Sequence, residues 1–115
     1  MSRSRDAARR LGGAAPLFAA LGDETRLRLV ARLCDEGPLS TTRLSEGAPV
    51  TRQAISKHLQ ALADAGVLRD ARRGRERIWE VESRRLEEAR RCLARISDEW
   101  DAAVGRLRGL VEGEE

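Results

Sequence analysis

The chain has 115 residues, of which 41% are hydrophobic and only 3% aromatic, a composition that suits one ordinary core filled by Leu, Val, Ile and Ala. Its charged residues, 36% of the chain, nearly cancel to a net charge of +3, which excludes a bulk polycation and makes the placement of charge the informative quantity. Two cysteines without CxxC spacing argue against a disulfide scaffold. The lack of an N-terminal apolar run and of any stretch of about 20 apolar residues argues against a secretory leader and a membrane span, so a cytoplasmic protein with no membrane contact is expected.

Residues 1–13 are predicted to be a flexible basic tail carrying Arg3, Arg5, Arg9 and Arg10, and residues 14–115 a single domain. A short apolar helix at about 14–22 holds Leu17, Phe18 and Leu21. Asp23 suits the N-cap of the next helix, with Glu24 opposing the helix dipole. There Leu27, Val30, Ala31 and Cys34 fall at i, i+3, i+4 and i+7, which predicts a buried stripe with Cys34 in the core, ending near Gly37-Pro38. Pro38-Leu39-Ser40 reads as a short extended piece, and Ser40 or Thr41 can cap a brief helix through Leu44. After a turn at Gly47-Ala48-Pro49-Val50, Thr51 caps a helix over 52–65 that Gly66 stops. Ala54, Ile55, Leu59, Leu62 and Ala63 are expected inside, and Arg52, Gln53, Ser56, Lys57 and Gln60 on a polar side free of acids until Asp64.

Residues 67–69 and 77–81 read as two strands around a tip at Gly74, with Arg69, Arg72, Arg73, Arg75 and Arg77 concentrated on the hairpin. Trp79 is expected to pack the hairpin rather than to meet a ligand. From Ser83 one helix runs to about 112. Leu86, Leu93, Trp100 and Leu107 recur every seven residues, with Ala89, Ile96, Ala103 and Leu110 as the second seam. A narrow seam of that length predicts a partner, most simply a second copy, meeting at Leu86, Ala89, Leu93, Ile96, Trp100 and Leu107. Cys92 falls beside the seam.

Helix, short helix, turn, capped helix and basic hairpin make a mainly α fold with a small β-hairpin: a winged helix-turn-helix with a long C-terminal dimerisation helix. Seven cations against three acids within 50–77 suit a surface that docks on phosphates. A major groove admits one helix, and Arg52 and Gln53, in its first turn, have the donors to pair with guanine and adenine edges. Ser56 and Lys57 lie one turn on. His58 either reaches DNA or merely covers the helix. Thr51 and the free N–H groups at the helix start suit a phosphate, and Arg72, Arg73 and Arg75 suit the flanking backbone. Double-stranded DNA is therefore the expected partner. One histidine, no tyrosine and no Gly-rich phosphate loop argue against an enzyme, and no cofactor is expected. Two further readings keep the fold: a repressor switched by redox or persulfide chemistry at Cys34 or Cys92, and a protein–protein module without DNA.

The runs LFAALGDETRLRLVARL and TRQAISKHLQALADAGVLRDARRGRERIWEV resemble the ArsR, or arsenical-resistance repressor, family of winged-helix regulators. The resemblance extends over about 16–112. It implies a homodimeric repressor whose first and last helices form the dimer interface, bringing Leu17 and Phe18 into it, and whose DNA affinity falls when an inducer binds. Metal-sensing members carry a cysteine pair where this chain has Ser40-Thr41-Thr42-Arg43-Leu44, or His ligands along a last helix that here has none. The resemblance is therefore to the non-metal branch, and the residues indicate neither a metal site nor any particular inducer.

Overall fold

A computed structural model describes residues 13–113. A helix α1 (13–21) is followed by α2 (Glu24–Glu36), β1 (Leu39–Ser40), α3 (Thr41–Ser45), α4 (Arg52–Asp64), β2 (Leu68–Arg73), β3 (Glu76–Val81) and α5 (Ser83–Gly113). The basic tail expected over 1–13 lies outside the described residues except for Gly13, which is already helical.

Local chemistry sets the helix starts. Asp23, Ser40 and Thr51 are extended residues whose side chains accept the backbone N–H groups of Arg26 (3.0 Å), Arg43 (3.0 Å) and Ala54 (3.1 Å). Each satisfies a first-turn donor that the helix itself leaves unpaired. The end of α4 is equally local. Gly66, at φ 79°, donates to the Ala63 carbonyl, and the Val67 N–H reaches back to the Leu62 carbonyl at 2.9 Å. This is a Schellman stop, sealed by the fully buried Leu62 and Val67. The hairpin turns at Gly74-Arg75, with Gly74 at φ 64° and Arg73 opposite Glu76. A two-residue loop with only its first position left-handed is the type II′ pattern that matches strand twist.

The piece expected to be merely extended at Leu39–Ser40 is a third strand. It pairs antiparallel with β3 (Leu39 opposite Trp79, Ser40 opposite Ile78), giving the sheet order β1-β3-β2. The hairpin strands also run further than the apolar pattern indicated, to Arg73 and back from Glu76. Ladder hydrogen bonds need backbone groups and no apolar side chains, so the exposed arginine segment pairs as well.

The core joins Leu17 and Ala20 of α1, Leu29, Val30 and Leu33 of α2, Leu44 of α3, Ile55, Leu59 and Leu62 of α4, Val67 and Leu68, Trp79, and Ala89 of α5. This corrects the expected stripe on α2. Leu27 is 53% exposed, and Ala31 and Cys34 also face outward. Two apolar stripes share Val30 on this helix, and packing against α4 and the sheet chose Leu29, Val30 and Leu33. Leu17 is a second correction. It is fully buried by its own chain, so it has no surface to offer a partner; Ala89 is buried in the same way, while Phe18 and Leu86 remain half-buried.

The first two turns of α5 lie on the body. Arg85 there donates through Nε to the Ala65 carbonyl (3.0 Å) and through Nη2 to the Gly13 carbonyl (3.3 Å), joining α5 to the end of α4 and to α1. Beyond them Leu93, Ile96, Trp100, Leu107 and Leu110 are 46–69% exposed along a helix of 31 residues, about 46 Å long. No described helix is long and apolar enough to cross a membrane.

Trp79, the largest fully buried side chain, donates its indole N–H to Thr41 Oγ1 at 2.9 Å. Thr41→Val keeps the shape and removes the acceptor, so it should lower stability by about 1–3 kcal/mol, read from urea midpoints, whereas Thr41→Ser should stay near wild type. The Asp23 carboxyl is held below its ordinary value, chiefly by the Arg26 backbone N–H, with His58 (Nδ1 3.9 Å from Oδ2) and the Arg26 charge acting in the same sense. A depressed folded-state value means that this contribution is complete at neutral pH and disappears as pH falls below about 4. Asp23→Asn keeps a good cap without the titration, so its urea midpoint should fall less than that of wild type between neutral pH and about pH 3.

Candidate nucleic-acid interface

The inward anchors of α4 (Ile55, Leu59 and Leu62) turn its other face to solvent. Arg52, Gln53 and Lys57 are exposed there, and together with the half-buried Ser56 they surround one shallow depression. The first turn has no acidic residue, so its N–H groups and the Arg52 charge act in the same sense. The Thr51 hydroxyl is occupied as the cap acceptor.

The structure divides the arginines of the hairpin, or wing. Arg69 is neutralised by Glu80 (2.6 Å) and Glu82 (3.3 Å). Arg77 bonds Asp70 Oδ2 (2.5 Å) and Gln60 Oε1 (2.8 Å) and lies 4.2 Å over the Trp79 ring. Arg72, Arg73 and Arg75 have no ion-pair partner among the described residues. Arg72 sits directly opposite Arg77 in the ladder, a like-charge pair that an external anion would relieve.

These positions fall into two groups. Arg75 lines a cleft of about 170 Å³ with Arg52, Ser56 and Arg77, bounded also by Ser40, Thr41, Thr42, Trp79 and one carboxylate, Glu76. Arg72 and Arg73 lie along the wing, beside Arg69, Asp70 and Glu80. His58 does not join either group. Its half-buried ring is turned toward Asp23 at the start of α2, with Nδ1 3.9 Å from Oδ2.

Sequence reading missed the roles of Gln60 and Arg77. Gln60 had the pattern of an exposed donor, but its amide N–H donates to Asp64 (2.9 Å) while its oxygen accepts from Arg77. The available signals were the i,i+4 spacing to Asp64 and the diagonal relation of Asp70 to Arg77 across the hairpin.

Both cysteines are free thiols. Cys34 is exposed, contrary to the expected core position, and lines a surface depression with Pro38, Leu86 and Arg90; Cys92 is half-buried beside Arg91 and Arg95. Among the described residues no three of His, Cys, Asp and Glu are grouped to hold a metal ion.

Residues 21–71 match the helix-turn-helix domain family. An HTH-type transcriptional regulator of Mycobacterium tuberculosis is 34% identical over 97 residues, which are 84% of this chain and 87% of that protein. The arsenical resistance operon repressor of Escherichia coli strain K12 is 32% identical over 96 residues, covering 83% of this chain and 79% of the relative. Among solved structures, an ArsR-like transcriptional regulator from Rhodococcus sp. RHA1 superposes with a TM-score of 0.73 at 35% identity, over 87% of this chain and 93% of that one. Capped helix, wing and these likenesses agree: the chain belongs to the ArsR family of winged helix-turn-helix transcriptional regulators.

Proposed function

We propose that the protein is a homodimeric repressor that grips an inverted-repeat operator, each copy placing α4 in a major groove and its wing on the flanking backbone. The observation that carries this reading is the exposed, acid-free start of α4, continued by Arg72, Arg73 and Arg75 of the wing, which have no ion-pair partner among the described residues. Arg52 and Gln53 read base edges, Ser56 and Lys57 support them one turn further on, Thr51 holds the helix start in shape, and Arg72, Arg73 and Arg75 hold phosphates. Repression is supported by the name of the Escherichia coli relative. The dimer is supported by the α5 seam: Leu93, Ile96, Trp100 and Leu107 are too large and too regularly spaced an exposed apolar row for a helix that works alone. Phe18 and Leu86, half-buried against the core, extend this interface onto the body in the same reading.

Selection from random duplexes should return a palindrome with half-sites about one helical turn apart. Replacing Arg52 and Gln53 together by Ala should relax base preference by about 1–3 kcal/mol per lost pair. Arg73→Ala should weaken all duplexes alike and reduce the salt slope by about one. Unchanged preference in the double variant would remove the assignment of α4 as the reading helix. For the seam, Trp100→Asp should sediment as a monomer while keeping its helical circular dichroism; a persistent dimer would place the interface elsewhere.

A further inference from the structure

We infer that Arg77 is a positioning residue that latches the wing to the recognition helix, so that α4 and the wing meet DNA as one rigid unit. This rests on the DNA-binding reading above; Arg77 also borders the cleft lined by Arg52 and Arg75, but the role assigned to it and to Gln60 is to hold the wing rather than to bind a phosphate.

The outer wing has little else to hold it. In β2 only Leu68 is buried, and the residues from Arg69 to Arg73 are all exposed; on β3, Trp79 is the buried side chain. β1 pairs with β3 only at Trp79 and Ile78, so from Arg77 outward the hairpin is a two-stranded ribbon, which is marginal in water without packing on a third element. Arg77 supplies the missing tie. Its planar guanidinium meets two other elements, Asp70 of β2 through Nε and Gln60 of α4 through Nη2, while stacking on Trp79 of its own strand, which is itself bonded to Thr41 of α3. Gln60 is held in turn by donating to Asp64 one helical turn on, which presents its oxygen to Arg77. The side chains of Arg77 and Asp70 each keep about one-third of their surface exposed.

The arrangement needs a fork. Arginine can bond two acceptors in a plane and stack on an aromatic face at the same time; lysine, a compact ammonium on a flexible stem, cannot. The side chain facing Arg77 across the ladder is Arg72, which repels it, so Arg77 is kept in place by Asp70, Gln60 and Trp79 rather than by its cross-strand neighbour.

The test uses the full chain and three variants, Gln60→Ala, Arg77→Lys and the two combined. Amide hydrogen exchange on the free protein should show faster exchange across the wing in each variant, with the amides of α2 and the central turns of α4 unchanged. On the selected duplex, Gln60→Ala should bind about tenfold more weakly, the size of one lost bond to a charged group, with the salt slope of wild type because no cation was removed. Arg77→Lys should behave like Gln60→Ala, and the double variant should be no worse than the weaker single one, as for two members of one unit.

Wild-type wing exchange in Gln60→Ala overturns the latch, and so does full affinity in Arg77→Lys, since charge alone would then suffice. Additive losses in the double variant would make Arg77 a direct phosphate contact and overturn it as well. If wild type binds no duplex, the DNA reading fails by itself; the exchange measurement then still decides whether Gln60 and Arg77 hold the wing.

Discussion

Much of this molecule hangs on the burial of one indole. Among three aromatic side chains in the sequence, Trp79 is the one enclosed by the core, at the crossing of sheet and helices. On its strand it stands opposite Leu39 of β1 and Asp70 of β2, so one residue links both ladders of the sheet. A buried indole N–H needs an acceptor, and Thr41, the first residue of α3, supplies it. The short first helix of the helix-turn-helix is thereby pinned to the base of the wing. The ring face is left as the surface on which Arg77 stacks. Core packing and the geometry of the candidate interface therefore share one centre.

That centre also explains how the charge is divided. Arginines near the base of the wing or the body are engaged internally: Arg69 by Glu80 and Glu82, Arg77 by Asp70 and Gln60, and Arg85 by two backbone carbonyls and Glu88. Arg72, Arg73 and Arg75 toward the tip form no ion pair among the described residues, although Asp70, Glu80 and Glu76 line the same surfaces. A net charge of +3 thus conceals a local cluster, Arg52 and Lys57 of α4 with Arg72, Arg73 and Arg75 of the wing, that carries no ion pair among the described residues. The far end of α5 differs in kind, because its unfinished business is apolar: a row of large side chains that the body is too small to cover.

Legibility followed the range of the interaction. The caps at Asp23, Ser40 and Thr51, the stop at Gly66 and the turn at Gly74 involve residues at most a few positions apart, and each was readable as a pattern. The heptad on α5 was readable because a row repeated four times is hard to mimic by chance. The stripe on α2 was misread because Leu27, Val30, Ala31 and Cys34 fit helical spacing as well as Leu29, Val30 and Leu33 do; periodicity ranks neither. Leu17 was carried to the interface by family resemblance, although at 0% exposure it belongs wholly to its own chain's core. His58 and Gln60 share a helix and both looked like surface donors. One faces Asp23 and the other Arg77, and those partners lie 35 and 17 positions away in the chain.

By itself, then, the sequence determined the elements, their caps and breaks, the polar face of α4, the basic hairpin and the repeating seam of α5, since all of these are set by neighbours along the chain. Only the tertiary structure decided which of two stripes on α2 is buried, that Leu39–Ser40 becomes a third strand, and which arginines are already engaged. Those outcomes depend on side chains that meet across long separations, where position in space rather than spacing in sequence sets which partner wins. The start of α4 was legible as an exposed polar face free of acids; the contacts that join Gln60 of that helix to Arg77 and Trp79 of the wing were not.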